Sequence, residues 1–185
     1  MKNSKVFLLV SCALFVALNT LLSQIAIPIG TVPVTLTHIS IFLAAALLGW
    51  KWGTVAQIIY VTLGAIGIPV FAGFAGGVGH VAGPLGGFIA GYIACAFVTA
   101  LVVRRFGTSK ISFLCAMYAG WLVTYALGVP WLMFSLSINF ATAIISFVLP
   151  FLLGDFVKTV LCLYLIKRLK PLFDKKLKQR DKSAL

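Results

Sequence analysis

Acidic side chains are nearly missing from this sequence: three Asp and Glu stand against fifteen Lys and Arg, and charged residues make up only 10% of 185. A soluble globular domain carries about a quarter of its residues as charge, so the scarcity argues against a soluble fold. With 62% hydrophobic residues and a mean hydropathy of +1.12, no soluble core of this size could bury the apolar surface. Cysteine is also sparse. Cys12, Cys95, Cys115 and Cys162 fall inside apolar runs without a CxxC pair, which argues against metal binding and disulfides and leaves them as packing residues. His38 and His80 have no companion ligands in the sequence, so they read as hydrogen-bonded histidines, and neither a metal nor a cofactor is expected. A membrane-embedded enzyme needs a nucleophile with a base, or a metal cluster, and a channel wants polar residues spread along several helices; the sequence offers none of these.

What it does offer is long apolar runs. Crossing about 30 Å of hydrocarbon takes about 17 to 25 residues, and runs bounded by Pro, Gly or charge lie at 6–26, 34–50, 53–69, 87–103, 111–129 and 150–166. The expected fold is an all-α integral membrane protein of six transmembrane helices, a single domain with no room for a soluble one. Lys2 and Lys5 before the first run resemble a secretory signal, but no A-x-A cleavage pattern follows, so the run is expected to stay as the first span. A further apolar segment, 131–149, carries Ser135, Ser137, Asn139, Thr142 and Ser146.

Charge decides the count, because short cytoplasmic loops are enriched in Lys and Arg. Six spans with both termini in the cytoplasm put Lys2, Lys5, Lys51, Arg104, Arg105, Lys110 and the basic tail 167–185 on one side. The outer connections 27–33, 70–86 and 130–149 then contain no Lys or Arg. A seventh span would expel the tail, so 131–149 is read as re-entrant or interfacial on the outer face. In a soluble protein a net charge of +12 would suggest nucleic acid. Here the tail directly follows a span, and attraction to anionic lipid headgroups, about 1 kcal/mol per basic residue, accounts for it; membrane lipid is the expected partner and nucleic acid is not.

Only Asp155 and Lys158 place charge inside an apolar segment, in Pro150-Phe-Leu-Leu-Gly-Asp-Phe-Val-Lys158. Such charges cost about 2.5 to 3.5 kcal/mol each on insertion scales and are functional candidates by default. A spacing of three puts both on one helical face, able to pair or to share a ligand. The alternative is that Asp155 caps the helix after Gly154 and Lys158 snorkels outward, although a cation in the first turns of a helix opposes the macrodipole. A second constellation is the segment 67–87, with eight glycines and two prolines. It lacks the Lys-Ser/Thr of a phosphate-binding loop. Val70, Phe71 and Phe74 are too apolar for a solvated linker, which suggests a lid on the outer mouth, with Gly77 letting backbone approach a ligand. Gln57 and Tyr60 in the third span and Tyr92 in the fourth are candidate lining residues. Ala13-Leu-Phe-Val-Ala17 is a small-xxx-small stripe that allows close helix approach.

Taken in order, Val32-Pro-Val-Thr-Leu36, Gly67-Ile-Pro-Val-Phe-Ala-Gly-Phe74, Gly83-Pro-Leu-Gly-Gly87 and Pro150-Phe-Leu-Leu-Gly-Asp-Phe-Val-Lys158 resemble the BioY family over nearly the whole chain. The resemblance implies a six-helix S component of an energy-coupling factor (ECF) transporter, in a bacterial cytoplasmic membrane, that captures biotin outside. It also implies docking on a transmembrane T subunit driven by two cytoplasmic ATPases, with Ala13 and Ala17 on the docking face and ordered outer loops capping the ligand site. Two positions depart from the family pattern: Thr37-His38 follows Leu36 where many members carry Gln, and Leu85 replaces a usual Thr. On this reading Asp155 accepts from the ureido N–H groups of biotin, Lys158 donates to the ureido oxygen or the carboxylate, and Phe71 and Phe74 close over the ring. An S component for another vitamin, thiamine or riboflavin, is the alternative.

Overall fold

The computed structural model describes residues 2–29 and 32–182; Met1, then Gly30 and Thr31 of the first connection, and residues 183–185 of the tail lie outside the described residues. The chain runs α1 (Lys2–Gln24), β1 (Ala26–Ile29), β2 (Val32–Thr35), α2 (Thr37–Ala65), a 3-10 turn (Ala72–Phe74), α3 (Val78–Ala82), α4 (Gly86–Phe106), α5 (Lys110–Leu136), α6 (Phe140–Phe147) and α7 (Leu149–Lys182). By length and composition, five of these helices, α1, α2, α4, α5 and α7, can cross a membrane.

The helix α2 is not straight. At Gly49 the backbone takes φ 76° and ψ −176°, a conformation essentially restricted to glycine. A Cβ placed on Gly53 would stand 3.0 Å from the Ala44 carbonyl oxygen, whereas residues nine apart in a straight helix are about 13.5 Å apart along the axis. The chain therefore doubles back, and α2 is a hairpin of two helical arms, 37–48 and 50–65. The first arm is buried along its whole length. Around it, Phe42, Cys95, Met117, Trp121 and Ile166 join α2, α4, α5 and α7 in one core, while Cys12, Val16, Ala56, Tyr60 and Phe71 join α1 to the second arm. Outward faces of α1 and α7 expose Leu14, Leu21, Leu153 and Val157, the apolar exterior that lipid requires.

Two ends can be distinguished. At one, the Phe7 and Phe173 rings of α1 and α7 are 5.1 Å apart, and Lys51 and Arg104 both approach the Trp50 ring. At the other, the glycine-rich segment is fastened to α1. Ser23 Oγ and Gln24 Nε2 donate to the carbonyls of Val70 and Phe71 at 2.6 and 3.0 Å, and Tyr60 Oη also donates to Val70 at 3.1 Å. Trp131 Nε1 of α5 ties in Gly83 at 2.8 Å.

Three features refine the sequence reading. An antiparallel β-hairpin, pairing Ala26 with Thr35 and Ile27 with Val34, occupies the connection between α1 and α2 of an otherwise helical chain; β-branched residues in Val32–Thr35 favour it, and a two-stranded pair tolerates Pro28 opposite Pro33. Segment 131–149 is not one element. Its first residues finish α5, Ser137 (φ 53°) stops that helix, and Asn139 caps α6 by accepting from the Thr142 amide at 2.8 Å. The tail continues α7 as helix to Lys182, with Lys170 paired to Asp174 at 3.1 Å.

A Gly49→Ala substitution is expected to cost about 1 to 3 kcal/mol through backbone strain alone, since the added methyl meets nothing within 4 Å. Thermal unfolding in detergent checks it against Gly79→Ala, where φ is ordinary and the space is open. An unchanged midpoint for Gly49→Ala would mean that the bend does not depend on this glycine.

Candidate functional site

Asp155 and Lys158 lie one turn apart on α7 and face inward, each 5% exposed, with Lys158 Nζ 3.0 Å from Asp155 Oδ1. Asp155 stands six residues beyond Leu149, where α7 begins, so it is not a helix cap, and the buried Lys158 does not snorkel. Helix α5 supports the pair. Trp121 and Tyr125 are four apart and share a face: Tyr125 Oη donates to Asp155 Oδ2, and the Trp121 ring lies 5.3 Å from Lys158 Nζ. Trp121 Nε1 donates to Thr159 Oγ1 at 3.3 Å, and that hydroxyl donates to the Asp155 carbonyl at 2.8 Å, which ties the indole to the same turn of α7.

Two more helices and the β-hairpin complete the site. His38, in the first turn of α2, stacks on Trp121 with ring centroids 3.9 Å apart, and Tyr92 of α4 meets His38 edge-on at 5.2 Å. Thr35 at the end of β2 shares a 2.8 Å hydrogen bond with Thr37. Phe88, Phe147 and Phe151 supply the apolar side.

The enclosed volume is about 40 Å³. Pockets for small molecules span about 300 to 1,000 Å³, so the walls must separate to admit one. The side chains facing it hold unused hydrogen-bonding capacity. A carboxylate offers about four acceptor sites and an ammonium three donors, of which the pair and Tyr125 use few. His38 Nε2 is buried with no partner among the described residues, although buried polar groups are normally paired. Asp155 and Lys158 offset each other, so the site suits a polar ligand that brings both donors and acceptors. Among the described residues no cluster of three or more His, Cys, Asp or Glu could hold a metal ion.

Of the residues singled out in the sequence, Asp155, Lys158 and Tyr92 meet here. Gln57 does not line this cavity: the second arm of α2 faces α1, and Gln57 Oε1 accepts from Asn19 Nδ2 at 2.8 Å in a fully buried pair. Phe71, Phe74 and Gly77 sit in the pinned glycine-rich segment. Phe71 is buried against Tyr60 and stacks on His80 at 5.3 Å; partial burial holds the His80 imidazole below its usual range. Phe74 is 72% exposed and its amide donates to Gln24 Oε1 at 2.9 Å, while the Gly77 amide donates to the Gly64 carbonyl at 2.7 Å with φ 97°. Ala13 and Ala17 lie on the exposed face of α1. The sequence reading missed Trp121, Tyr125, Thr35 and Phe151. Their signal was faint: Trp and Tyr carry polar handles that seek partners when buried, and four-residue spacing placed two on one face.

Comparison with known proteins gives a consistent picture. The BioY family model matches residues 1–175. The biotin transporter BioY of Thermotoga maritima is 40% identical over 164 residues, covering 89% of this chain and 96% of its own length. The biotin transporter BioY of Rhodobacter capsulatus is 39% identical over 163 residues, 80% of this chain and 84% of its own. A crystal structure of the S component for biotin from an ECF-type ABC transporter superposes with a TM-score of 0.87 at 30% identity, covering 92% of this chain and 94% of the other.

Proposed function

The chain belongs to the BioY family of membrane transport proteins, and from that premise we propose that it is the substrate-binding S component of an ECF transporter and captures biotin. It works as a carrier component rather than an enzyme. The observation that carries the chemistry is the buried Asp155–Lys158 pair with its spare donors and acceptors. Biotin offers two ureido N–H donors, a ureido carbonyl, an apolar thioether ring and a carboxylated tail. Asp155 accepts from the ureido N–H groups and Lys158 donates to the ureido oxygen, so the exchange of partners inside the pocket leaves its net charge at zero. A carboxylate held there instead would bring an uncompensated negative charge into an apolar setting. Tyr92, His38 and Trp121 form the walls. Phe71, Phe74 and Gly77 serve as part of the cap over the outer mouth, and Gln57 acts through its contact with Asn19, which fixes α1 against α2. The relatives are named for biotin, and no feature of the site favours thiamine or riboflavin.

The Gly49 bend supports counting α2 as two spans, giving six with α1, α4, α5 and α7, and both termini cytoplasmic. The β-hairpin, the glycine-rich segment and α6 then face outward, and the Lys- and Arg-rich connections face the cytoplasm as the positive-inside rule asks. The proposed setting is a bacterial cytoplasmic membrane. Ala13, in the exposed stripe it forms with Ala17, lines a groove together with Trp52, Ile59 and Leu63, which supports the stripe's use as the docking face for a transmembrane T subunit carrying two ATPase subunits.

Lys158→Ala and Asp155→Ala are each expected to weaken biotin binding by the roughly 1.5 to 3 kcal/mol of a charge-assisted hydrogen bond, about ten- to hundredfold, in equilibrium binding of radiolabelled biotin. Removing one partner also strands the other in an apolar setting, so the double variant should recover stability and still fail to capture biotin. A folded double variant with undiminished affinity would sink the site. Trp at Ala13 or Ala17 should abolish energised uptake while the isolated chain keeps its biotin binding; lost binding would make the stripe internal packing. In a cysteine-free background, Gly77→Cys should label from outside intact cells and Lys178→Cys should not, and labelling of the latter would overturn the six-span topology.

A further inference from the structure

At the end opposite the pocket, two cations from different helices converge on one indole. Lys51, just past the Gly49 bend, holds Nζ 5.3 Å from the Trp50 ring centroid, and Arg104, in the last turn of α4, brings its guanidinium to 5.5 Å. Phe97 of α4 meets the same indole edge-on at 6.3 Å. With Thr54 and Val55 these rings line a groove of about 420 Å³ between the second arm of α2 and α4, and Val55 and Phe97 are exposed along it. No carboxylate answers the two cations: among the described residues, neither Lys51 nor Arg104 forms an ion pair.

The positive-inside rule explains why cations gather at this end, but not why two of them share one Trp beside an apolar groove. That combination has a specific chemical complement. A phosphate would meet the ammonium of Lys51 and the planar fork of Arg104 in charge-assisted hydrogen bonds, an acyl chain would lie along Val55 and Phe97, and the indole would sit at headgroup level, where Trp is enriched. Basic pockets between membrane helices on the cytoplasmic side commonly hold such headgroups. We propose that Trp50, Lys51, Arg104 and Phe97 form a binding site for one anionic phospholipid of the cytoplasmic leaflet, separate from the biotin pocket and independent of it.

The test is native mass spectrometry of the full-length protein released from detergent containing equimolar phosphatidylglycerol and phosphatidylcholine. The wild type should retain one phosphatidylglycerol in preference to phosphatidylcholine. Lys51→Gln/Arg104→Gln should reduce that preference about thirtyfold, about fivefold for each cation near a headgroup, with biotin binding unchanged as the check on folding. Val55→Trp, which fills the groove and keeps both charges, should also lose the lipid. Lys175→Gln/Lys176→Gln, which removes the same charge from the tail of α7, should retain it. Equal retention of both lipids by the wild type, or an equal loss in the two double variants, would reduce the effect to diffuse attraction and overturn the site. So would a Lys51→Gln/Arg104→Gln protein that keeps phosphatidylglycerol but no longer copurifies with a coexpressed T subunit, since the groove would then seat protein.

Discussion

A carboxylate and an ammonium 3.0 Å apart in an apolar bundle are the constraint around which the rest of this molecule is arranged. Either charge alone would cost about 2.5 to 3.5 kcal/mol on insertion scales. Side by side on α7 they offset each other, but the pair still needs neighbours that can satisfy its remaining hydrogen-bonding sites. Helix α5 provides them: the Tyr125 hydroxyl takes the second carboxylate oxygen, and the face of Trp121 lies against Lys158. His38 stacks on that indole from the start of α2, which begins at Thr37 just after the hairpin strand β2 ends at Thr35. One buried pair is thus linked, directly or through Trp121, to three helices, α7, α5 and α2.

The polar contacts inside the bundle divide into two kinds with different capacity. Asn19 and Gln57 spend one hydrogen bond on each other between α1 and α2, and the two atoms left without partners, Asn19 Oδ1 and Gln57 Nε2, are complementary as acceptor and donor. Small readjustment of two amides satisfies both, so the pair holds helices and nothing more. The Asp155 cluster has excess donors, excess acceptors, an unpartnered His38 nitrogen and a cavity beside it. Excess capacity facing space, rather than burial of polar atoms as such, distinguishes the Asp155 cluster, as the candidate site, from the structural contact of Asn19 with Gln57.

That distinction explains what was legible beforehand. Asp155 and Lys158 stood out because charge in an apolar run has no neutral explanation, and a three-residue interval fixes a shared face whatever the tertiary arrangement. Gln57 was equally conspicuous as a polar residue in a span, but a single position does not reveal which neighbour its face meets, and it meets α1. Trp121 and Tyr125 were hidden by the opposite problem, since aromatics in an apolar helix look like packing until a partner for the hydroxyl or indole N–H is known. Gly49 could not be told from other glycines in the spans: the Lys51 charge marked a break there, while the left-handed turn that makes it depends on φ. Four-residue strands carry too little periodicity for the β-hairpin to stand out from a connection in the sequence.

The scarcity of acid ties both ends of the molecule together. The chain has three acidic residues, and two are committed: Asp155 to Lys158 within the bundle and Asp174 to Lys170 on α7. The third, Asp181, stands at the far end of α7, remote in sequence from the Gly49 bend and from the α4–α5 connection. Cations are cheap at that end because they orient the chain in the membrane, yet an exposed charge still requires counterions. With almost no acid there, the balancing negative charge must come from solvent or lipid, and next to an apolar groove lipid is the source that also covers exposed hydrocarbon. The same economy of acid leaves Asp155 as the one buried acidic side chain among the described residues, so no second carboxylate competes there for Lys158.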